Sequence, residues 1–341
     1  MARECPVCSS AAAFFCRAPD RHYGNAGEWE VCRCGGCGHL FQWPLPDESD
    51  LARYYPEDYY AHQTPSTDLT PRGLRRRGVW LTMHYLKGRR GYNHLPVGSN
   101  RLLAFIAGRF FRKAGDLGTP SYVPGGRFLD FGCGSGDVVA FARFVGWKAE
   151  GIEISAAAVA AGRRAGLDLT HGSVEALEAV PGRYDYVFSS HCVEHIPDAA
   201  RVFRAFHRAL KPGGCLAVEV PNGDASALER FGAYYYYLGM PVHVHVFTPR
   251  SISILAESAG LESIDVVTHS RWVTQAESAL LWIGGGGRRF HAHGRLSGVL
   301  GRVVAIPSTA ASWRNGKGDC LVLNCRKPGR AGGEGRGRPC C

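Results

Sequence analysis

Residues 128–137 read Phe-Leu-Asp-Phe-Gly-Cys-Gly-Ser-Gly-Asp, a short apolar strand running into a glycine turn that opens a helix. Glycines at 132, 134 and 136 let the backbone turn tightly and approach a ligand held at the helix N-terminus. A dinucleotide fingerprint would need a further glycine at 137, where this chain has Asp137. Asp130, directly before the turn, would repel a pyrophosphate and welcome a cation. At the end of the following strand, Gly151-Ile-Glu153 offers an acid suited to a ribose diol.

This combination, a glycine turn with one acid for positive charge and one for a ribose, fits S-adenosylmethionine better than a nicotinamide dinucleotide. On either side the pattern alternates. Strands are expected at 127–131, 148–154, 167–171, 184–189, 215–220, 261–268 and 319–325, and helices at 138–145, 156–165, 199–210 and 249–259. Lys211-Pro-Gly-Gly214 reads as the stop of the third helix. The expected domain over 126–326 is α/β, with a Rossmann-like, mostly parallel sheet of about seven strands covered by helices on both faces. The last strand follows its predecessor without a crossover helix and is expected to pair antiparallel. Upstream, 61–125 reads as a linker and helical lid: an arginine-rich loop over 62–78, a helix over 101–113 and a turn-rich lead-in. Residues 272–318 are glycine-rich and give no assignment, and 327–341, with the terminal Cys340-Cys341, read as a disordered tail.

The chain has 341 residues, 45% hydrophobic and 21% charged, which is enough apolar material for a core and argues against global disorder or a coiled coil. No apolar run approaches the roughly 18 residues of a membrane-spanning helix, and the N-terminus lacks the apolar core of a secretory signal, so a cytoplasmic protein is expected. The net charge of +10 is unevenly placed. Residues 1–125 carry 16 basic and 11 acidic side chains, 126–270 carry 12 and 16, and 271–341 carry 12 and 3. An acidic middle argues against nucleic acid as a partner. The basic ends leave open attraction to an anionic substrate or peripheral contact with a membrane, beside the plainer reading of solvated tails.

Six cysteines crowd the first 37 residues, and two pairs, Cys5/Cys8 and Cys34/Cys37, have the C-x-x-C spacing. A two-residue gap lets both thiolates of one turn reach the same ion, so the two pairs predict a closed structural zinc site in a small ribbon over 1–60, which also carries an aromatic cap, Tyr54–Tyr60. The residues between the pairs should form a hairpin around Trp29 and Val31. Cys32 and His39 are rival ligands that complete the paired spacing less well.

The chain resembles the class I S-adenosylmethionine-dependent methyltransferases through Leu129–Gly136, Gly172-Ser-Val-Glu-Ala-Leu177, His191-Cys-Val-Glu-His-Ile-Pro-Asp198, Leu210-Lys-Pro-Gly-Gly214 and Glu219-Val-Pro-Asn222. It is similar in particular to a bacterial subgroup with an N-terminal zinc-binding module, which is associated with sugar, glycan and secondary-metabolite methylation. The resemblance implies that Asp130, Gly132, Cys133, Gly134 and Gly136 line the cofactor, with Glu153 on its ribose and Ile154, Ser173 and Val174 beside them. Ser190 and His191 would face its methionine end. Ser173 stands where relatives often carry an acid.

Methyl transfer to a hydroxyl needs a group to take the proton, and histidine is the natural candidate. The candidates are His195 with Glu194, and the pair His243 and His245 in Pro241-Val-His-Val-His-Val-Phe-Thr-Pro249, which strand-like alternation would point the same way. Relatives commonly carry a His several residues before Phe-Thr, which favours His243. His191–His195 also spells the inverted metalloprotease motif H-x-x-E-H, but Ile196-Pro197 would interrupt the helix that motif requires. Four tyrosines at 234–237 could stack on an acceptor or be half-buried structure. The expected function is methyl transfer to a small-molecule or saccharide acceptor, most simply on oxygen. The alternatives are C-methylation of a nucleotide-linked sugar, a zinc-ribbon RNA methyltransferase, and a cofactor-binding module without turnover.

Overall fold

The computed structural model describes residues 3–54, 74–98, 120–284 and 315–329, together with Leu102 and Phe105. The N-terminal module begins with an antiparallel hairpin of β1 (Ala12–Pro19) and β2 (Glu28–Cys34), and β3 (Leu40–Trp43) adds to the β2 edge. Trp29 and Val31 both lie on β2, as the hairpin reading anticipated, with Val31 fully buried. A short α1 (Glu48–Ala52) follows, then the longer α2 (Leu74–Arg89). Residues 74–78 were expected to close a loop. They instead form the first turns of α2, because Leu and Arg are good helix formers and no proline interrupts 74–89. The rest of the expected loop, the Tyr55–Tyr60 segment and nearly all of the expected 101–113 helix lie outside the described residues.

The main sheet is built from β4 (Arg127–Phe131), α3 (Asp137–Phe144), β5 (Lys148–Glu153), α4 (Ala156–Arg164), β6 (Leu169–His171), α5 (Val174–Glu178), β7 (Tyr184–Ser190), α6 (Ala199–Ala209) and β8 (Leu210–Pro221). The chain continues through α7 (Ser226–Phe231), β9 (His245–Val246), which leaves the main sheet, α8 (Pro249–Ser258), β10 (Glu262–His269), α9 (Trp272–Gly284) and β11 (Cys320–Arg326). Seven strands are ordered β10-β11-β8-β7-β4-β5-β6. Only β11 runs antiparallel to its neighbours, β8 and β10, and the remaining pairings are parallel. This is the Rossmann-like sheet the alternation predicted.

Two local readings change. The third helix ends at Ala209, and Lys211–Gly214 belong to β8 rather than to a loop. Pro212 disfavours helical geometry for the residue before it, so the chain leaves α6 already extended, and Leu210 pairs with Tyr184. Within 272–318, the first residues form α9, while 285–314 and the tail beyond 329 lie outside the described residues.

Along β4 the side chains alternate between two cores. Phe128 joins the cluster of Val139, Val145, Trp147 and Tyr186, to which α2 adds Met83 and Leu86. Leu129 and Phe131 join Val202, Phe203 and Phe206 of α6. The N-terminal module is stitched to the sheet domain by β9, which pairs antiparallel with β3 through Leu40↔Val246 and Phe41↔His245 and completes a four-stranded sheet β1-β2-β3-β9. No described helix is long and apolar enough to cross a membrane.

Phe206 is fully buried and meets Phe131 edge-on, with ring centres 5.5 Å apart, and Phe203 likewise at 5.9 Å. A Phe206→Ala variant should lose about 3–5 kcal/mol of unfolding free energy, read as a lowered urea midpoint with an unchanged slope.

Candidate active site

The glycine turn and the loops after β5, β6 and β7 gather at the carboxyl ends of the parallel strands, where open α/β sheets hold their ligands. Gly132, Gly134 and Gly136 all have positive φ, at 76°, 54° and 98°. At Gly132 a Cβ would also lie 2.5 Å from Cys192 Sγ, so glycine is required where the turn packs on the loop after β7. The amides of Gly134 and Ser155 donate to the two oxygens of Glu153, at 2.8 and 2.9 Å. This locks the second acid against the glycine turn.

Asp130 and Glu153 are both buried, and neither forms an ion pair among the described residues. Burial, and then the neighbouring Glu153 charge, push the Asp130 carboxyl up to about 8. Two adjacent buried acids without a counter-cation make a site that favours a cationic ligand. Ile154 follows Glu153 and stands 69% exposed, an apolar surface beside the two acids. Cys133 is largely buried, with Sγ 3.5 Å from Gly134 O. Ser173 precedes α5 without capping it, and Val174 is buried in the core.

The loop after β7 carries a second cluster. Ser190 Oγ donates to Glu219 Oε2 at 2.8 Å. His191, whose φ is 51°, places Nδ1 3.1 Å from Glu194 Oε1 and Nε2 3.9 Å from Glu219 Oε1. Burial opposes its charge, yet bonding to Cys320 and Glu194 holds the His191 pKa well above the ordinary value. Glu194 is fully buried; burial would raise its carboxyl, but the His191 hydrogen bond and charge hold it below the usual range. Its Oε2 is buried without a hydrogen-bond partner.

A carboxylate oxygen of Glu194 and one ring nitrogen each of His195 and His243 lie within 4.8 Å of one another. His195 Nδ1 meets Val242 O at 2.9 Å and His243 Nδ1 meets Tyr237 O at 2.8 Å. Carbonyls only accept, so both Nδ1 atoms carry the proton and Nε2 carries the lone pair. Burial, then the neighbouring His195, lower His243 to about 3, which keeps it neutral. Gly239, with φ 50°, packs where a Cβ would lie 2.5 Å from His243 Nδ1, so the ring is seated against glycine. The H-x-x-E-H segment forms only a single 3-10 turn over Val193–His195. Its two histidines enter different clusters, so the metalloprotease geometry is absent there.

The expected pairing of His243 with His245 on one face does not form. His245 is 1% exposed and turned toward the N-terminal module, with Nδ1 3.1 Å from His39 Nε2 and Nε2 3.0 Å from Pro197 O. Only His245 is in the strand; His243 precedes it in irregular chain just after a turn, where alternation does not apply. Of the tyrosines, Tyr235 and Tyr237 are buried, and Tyr237 stacks on His191 with centres 5.3 Å apart. Sequence reasoning missed the group around Glu219, which accepts from His269 at 2.9 Å and Arg271 at 3.3 Å. No local signal joins residues fifty positions apart. Burial opposes the Glu219 charge, but the His269 hydrogen bond and the His191 charge hold its carboxyl down to about 2.

In the module, the sulfurs of Cys5, Cys8, Cys34 and Cys37 all lie within 4.8 Å of one another. The rivals are engaged elsewhere, Cys32 with Glu30 and His39 with His245.

An acid-lined glycine turn at the strand ends of a doubly wound sheet defines an α/β enzyme that binds a nucleoside-type cofactor. Residues 100–266 match the family model of a Methyltransferase domain. The Ubiquinone biosynthesis O-methyltransferase of Pseudomonas aeruginosa is 31% identical over 156 residues, covering 42% of this chain and 67% of that protein. Its namesake in Dinoroseobacter shibae is 30% identical over 182 residues, covering 50% and 72%, and that of Ruegeria pomeroyi is 32% identical over 173 residues, covering 47% and 68%. This chain belongs to the S-adenosylmethionine-dependent methyltransferases.

The raised Asp130 pKa makes folding favour its protonated form. That contribution is complete below the unfolded-state pKa near 4 and is lost as pH rises through about 8. Between pH 5 and 9 the ligand-free protein should therefore lose more stability than its Asp130→Asn variant, measured by urea unfolding at each pH.

Proposed function

We propose that this enzyme methylates a hydroxyl of a small-molecule acceptor and that its four N-terminal cysteines hold a structural zinc ion. The observation that carries the first part is the convergence of buried Glu194, half-buried His195 and buried His243 beside the loop after β7. The orphaned Glu194 oxygen and the lone-pair Nε2 of His243 can each take a proton, and a hydroxyl acceptor brings one. The names of the relatives support oxygen as the methylated atom. Saccharide acceptors remain within this reading, and the acidic charge of residues 126–270 speaks against RNA.

The cofactor fits the chain's own residues. Asp130 and Glu153 form a negative crevice that suits its positive charge and ribose, Gly132, Gly134 and Gly136 admit it closely, and Ile154 with Ser173 and Val174 would border its base. S-adenosylmethionine, when bound, supplies a methyl group activated by its sulfonium sulfur. The chain's part is to orient the acceptor and take its proton. Neutral His243 receives the proton at Nε2, and the Glu194 carboxylate stabilises the imidazolium that results. Ser190 and His191, tied to Glu219 and Glu194, line the methionine end. Much of the acceleration comes from this fixed geometry.

For the metal, a tetrahedral ion with Zn–S bonds near 2.3 Å sets its sulfurs about 3.8 Å apart. Cys5 and Cys37 stand at 3.7 Å and Cys8 and Cys34 at 3.4 Å, so the donor set fits. The amides of Gly36 and Cys37 point at Cys34 Sγ from 3.3 and 3.4 Å, an arrangement suited to thiolate charge.

The test is transfer of labelled methyl from S-adenosylmethionine to a panel of catechols, phenols and nucleotide sugars, with products placed by mass spectrometry. An O-methyl product is expected, and a product methylated only on carbon would overturn the assignment. His243→Ala should lower kcat about 100-fold with cofactor affinity within about twofold of wild type. Elemental analysis should find one zinc per chain, lost on Cys34→Ser together with a fall in melting temperature; metal-free protein of unchanged stability would remove the zinc.

A further inference from the structure

The proton-accepting cluster belongs to the sheet domain, but a residue of the cysteine-rich module reaches it. Resting on the reading of Glu194, His195 and His243 as the proton-handling group, we propose that His39 is a positioning residue for methyl transfer, acting through His245 and Pro197.

The hydrogen bonds run in one direction. Pro197 O can only accept, so His245 Nε2 carries the ring proton and donates across 3.0 Å. That leaves the lone pair of His245 on Nδ1, and His39 Nε2 must donate to it across 3.1 Å. Pro197 lies two residues beyond His195 and three beyond Glu194. The module therefore grips the far end of the segment that carries both groups.

Each link is anchored in depth. His39 is fully buried, stacked on Phe41 with centres 5.9 Å apart and leaning on Phe247 at 4.9 Å. Its carbonyl accepts from Cys34 N at 2.9 Å, so the same residue closes the second cysteine turn. Thr248 Oγ1 donates to Cys37 O at 2.7 Å and ties that turn to the start of α8. A main-chain route runs alongside: Gln42 N donates to Val244 O at 3.0 Å, and Val244 N donates to Glu194 O at 2.9 Å. Glu194 is thus held from the module by a backbone ladder, and the turn after it by the two histidines.

The segment needs this support. Its own 3-10 turn is closed only by His195 N to Cys192 O and Ile196 N to Val193 O, at 3.1 and 3.2 Å. It carries the fully buried Glu194 carboxylate, held on one oxygen by His191 of the same segment at 3.1 Å, so the placement of Glu194 follows the placement of the segment. A buried polar relay adds direction that apolar packing of the same volume would lack. A shift of about 1 Å in such a group costs on the order of 100-fold in rate.

The test uses the full chain with two substitutions. His39→Leu keeps the packing and removes the donor, whereas His39→Gln keeps an N–H of similar reach. Turnover is measured with 3,4-dihydroxybenzoate and with the best acceptor from the panel, cofactor affinity by calorimetry, metal content by elemental analysis, and backbone order by amide exchange over residues 191–198. For His39→Leu the expected results are kcat lower by about 10- to 100-fold, cofactor affinity within about twofold, unchanged metal content, and exchange over 191–198 faster by about tenfold. His39→Gln should recover most of the lost turnover. Unchanged exchange in His39→Leu overturns the proposal whatever the acceptor. So does a loss of rate matched by equal losses of cofactor binding and metal, because His39 would then be a folding residue. Normal turnover in His243→Ala overturns the underlying reading instead, while a slow His243→Ala beside a normal His39→Leu overturns only the role of His39.

Discussion

Glu194 is a carboxylate with no exposure to water, and the surroundings of the candidate site are arranged around that fact. Burying such a charge is costly unless it is paired and hydrogen-bonded. The compensation comes from His191, held in a left-handed backbone conformation that few non-glycine residues adopt. His191 in turn is flanked by Glu219, which His269 and Arg271 hold ionised from the far strand of the sheet. The result is an alternation of negative and positive groups running inward from Arg271 to Glu194. One oxygen of Glu194 is left over at its inner end.

The crevice near the glycine turn has the opposite character. There Asp130 and Glu153 are buried near enough to interact and neither has an ion-pair partner among the described residues, and the proton that Asp130 retains near neutrality marks the imbalance. A positively charged cofactor answers this imbalance, whereas the Glu194 cluster already has its own cation in His191. One edge of the sheet thus carries two acidic centres with different requirements, the first for a charged ligand and the second for a proton.

Those parts of the molecule governed by local chemistry were readable from the chain. The glycine turn, the strand ends with their acids and the cysteine pairs each depend on neighbours within a few positions, and the observed elements follow the predicted ones closely from Arg127 to Ser258. Contacts between distant segments were not readable. His39 looked like a rival metal ligand among the crowded cysteines, while its hydrogen-bond partner, His245, lies 206 positions away. His243 and His245 looked like a matched pair because alternation assumes a strand, and the strand begins only at His245. Pro212 and the glycines after it marked the end of a helix correctly but concealed that β8 had already begun.

The four-stranded sheet of the module has a consequence for how the protein is made. Its outer strand, β3, finds its last partner only in His245–Val246, about 200 residues later in the chain. At ribosomal speeds of roughly 5–20 residues per second, that leaves the edge of β3 away from β2 unmatched for some 10–40 seconds during synthesis. An unmatched strand edge is a template for joining other nascent chains. The cysteine-rich module therefore emerges with one edge open, and the moment of greatest danger to a newborn copy falls while the later part of the chain is still being translated.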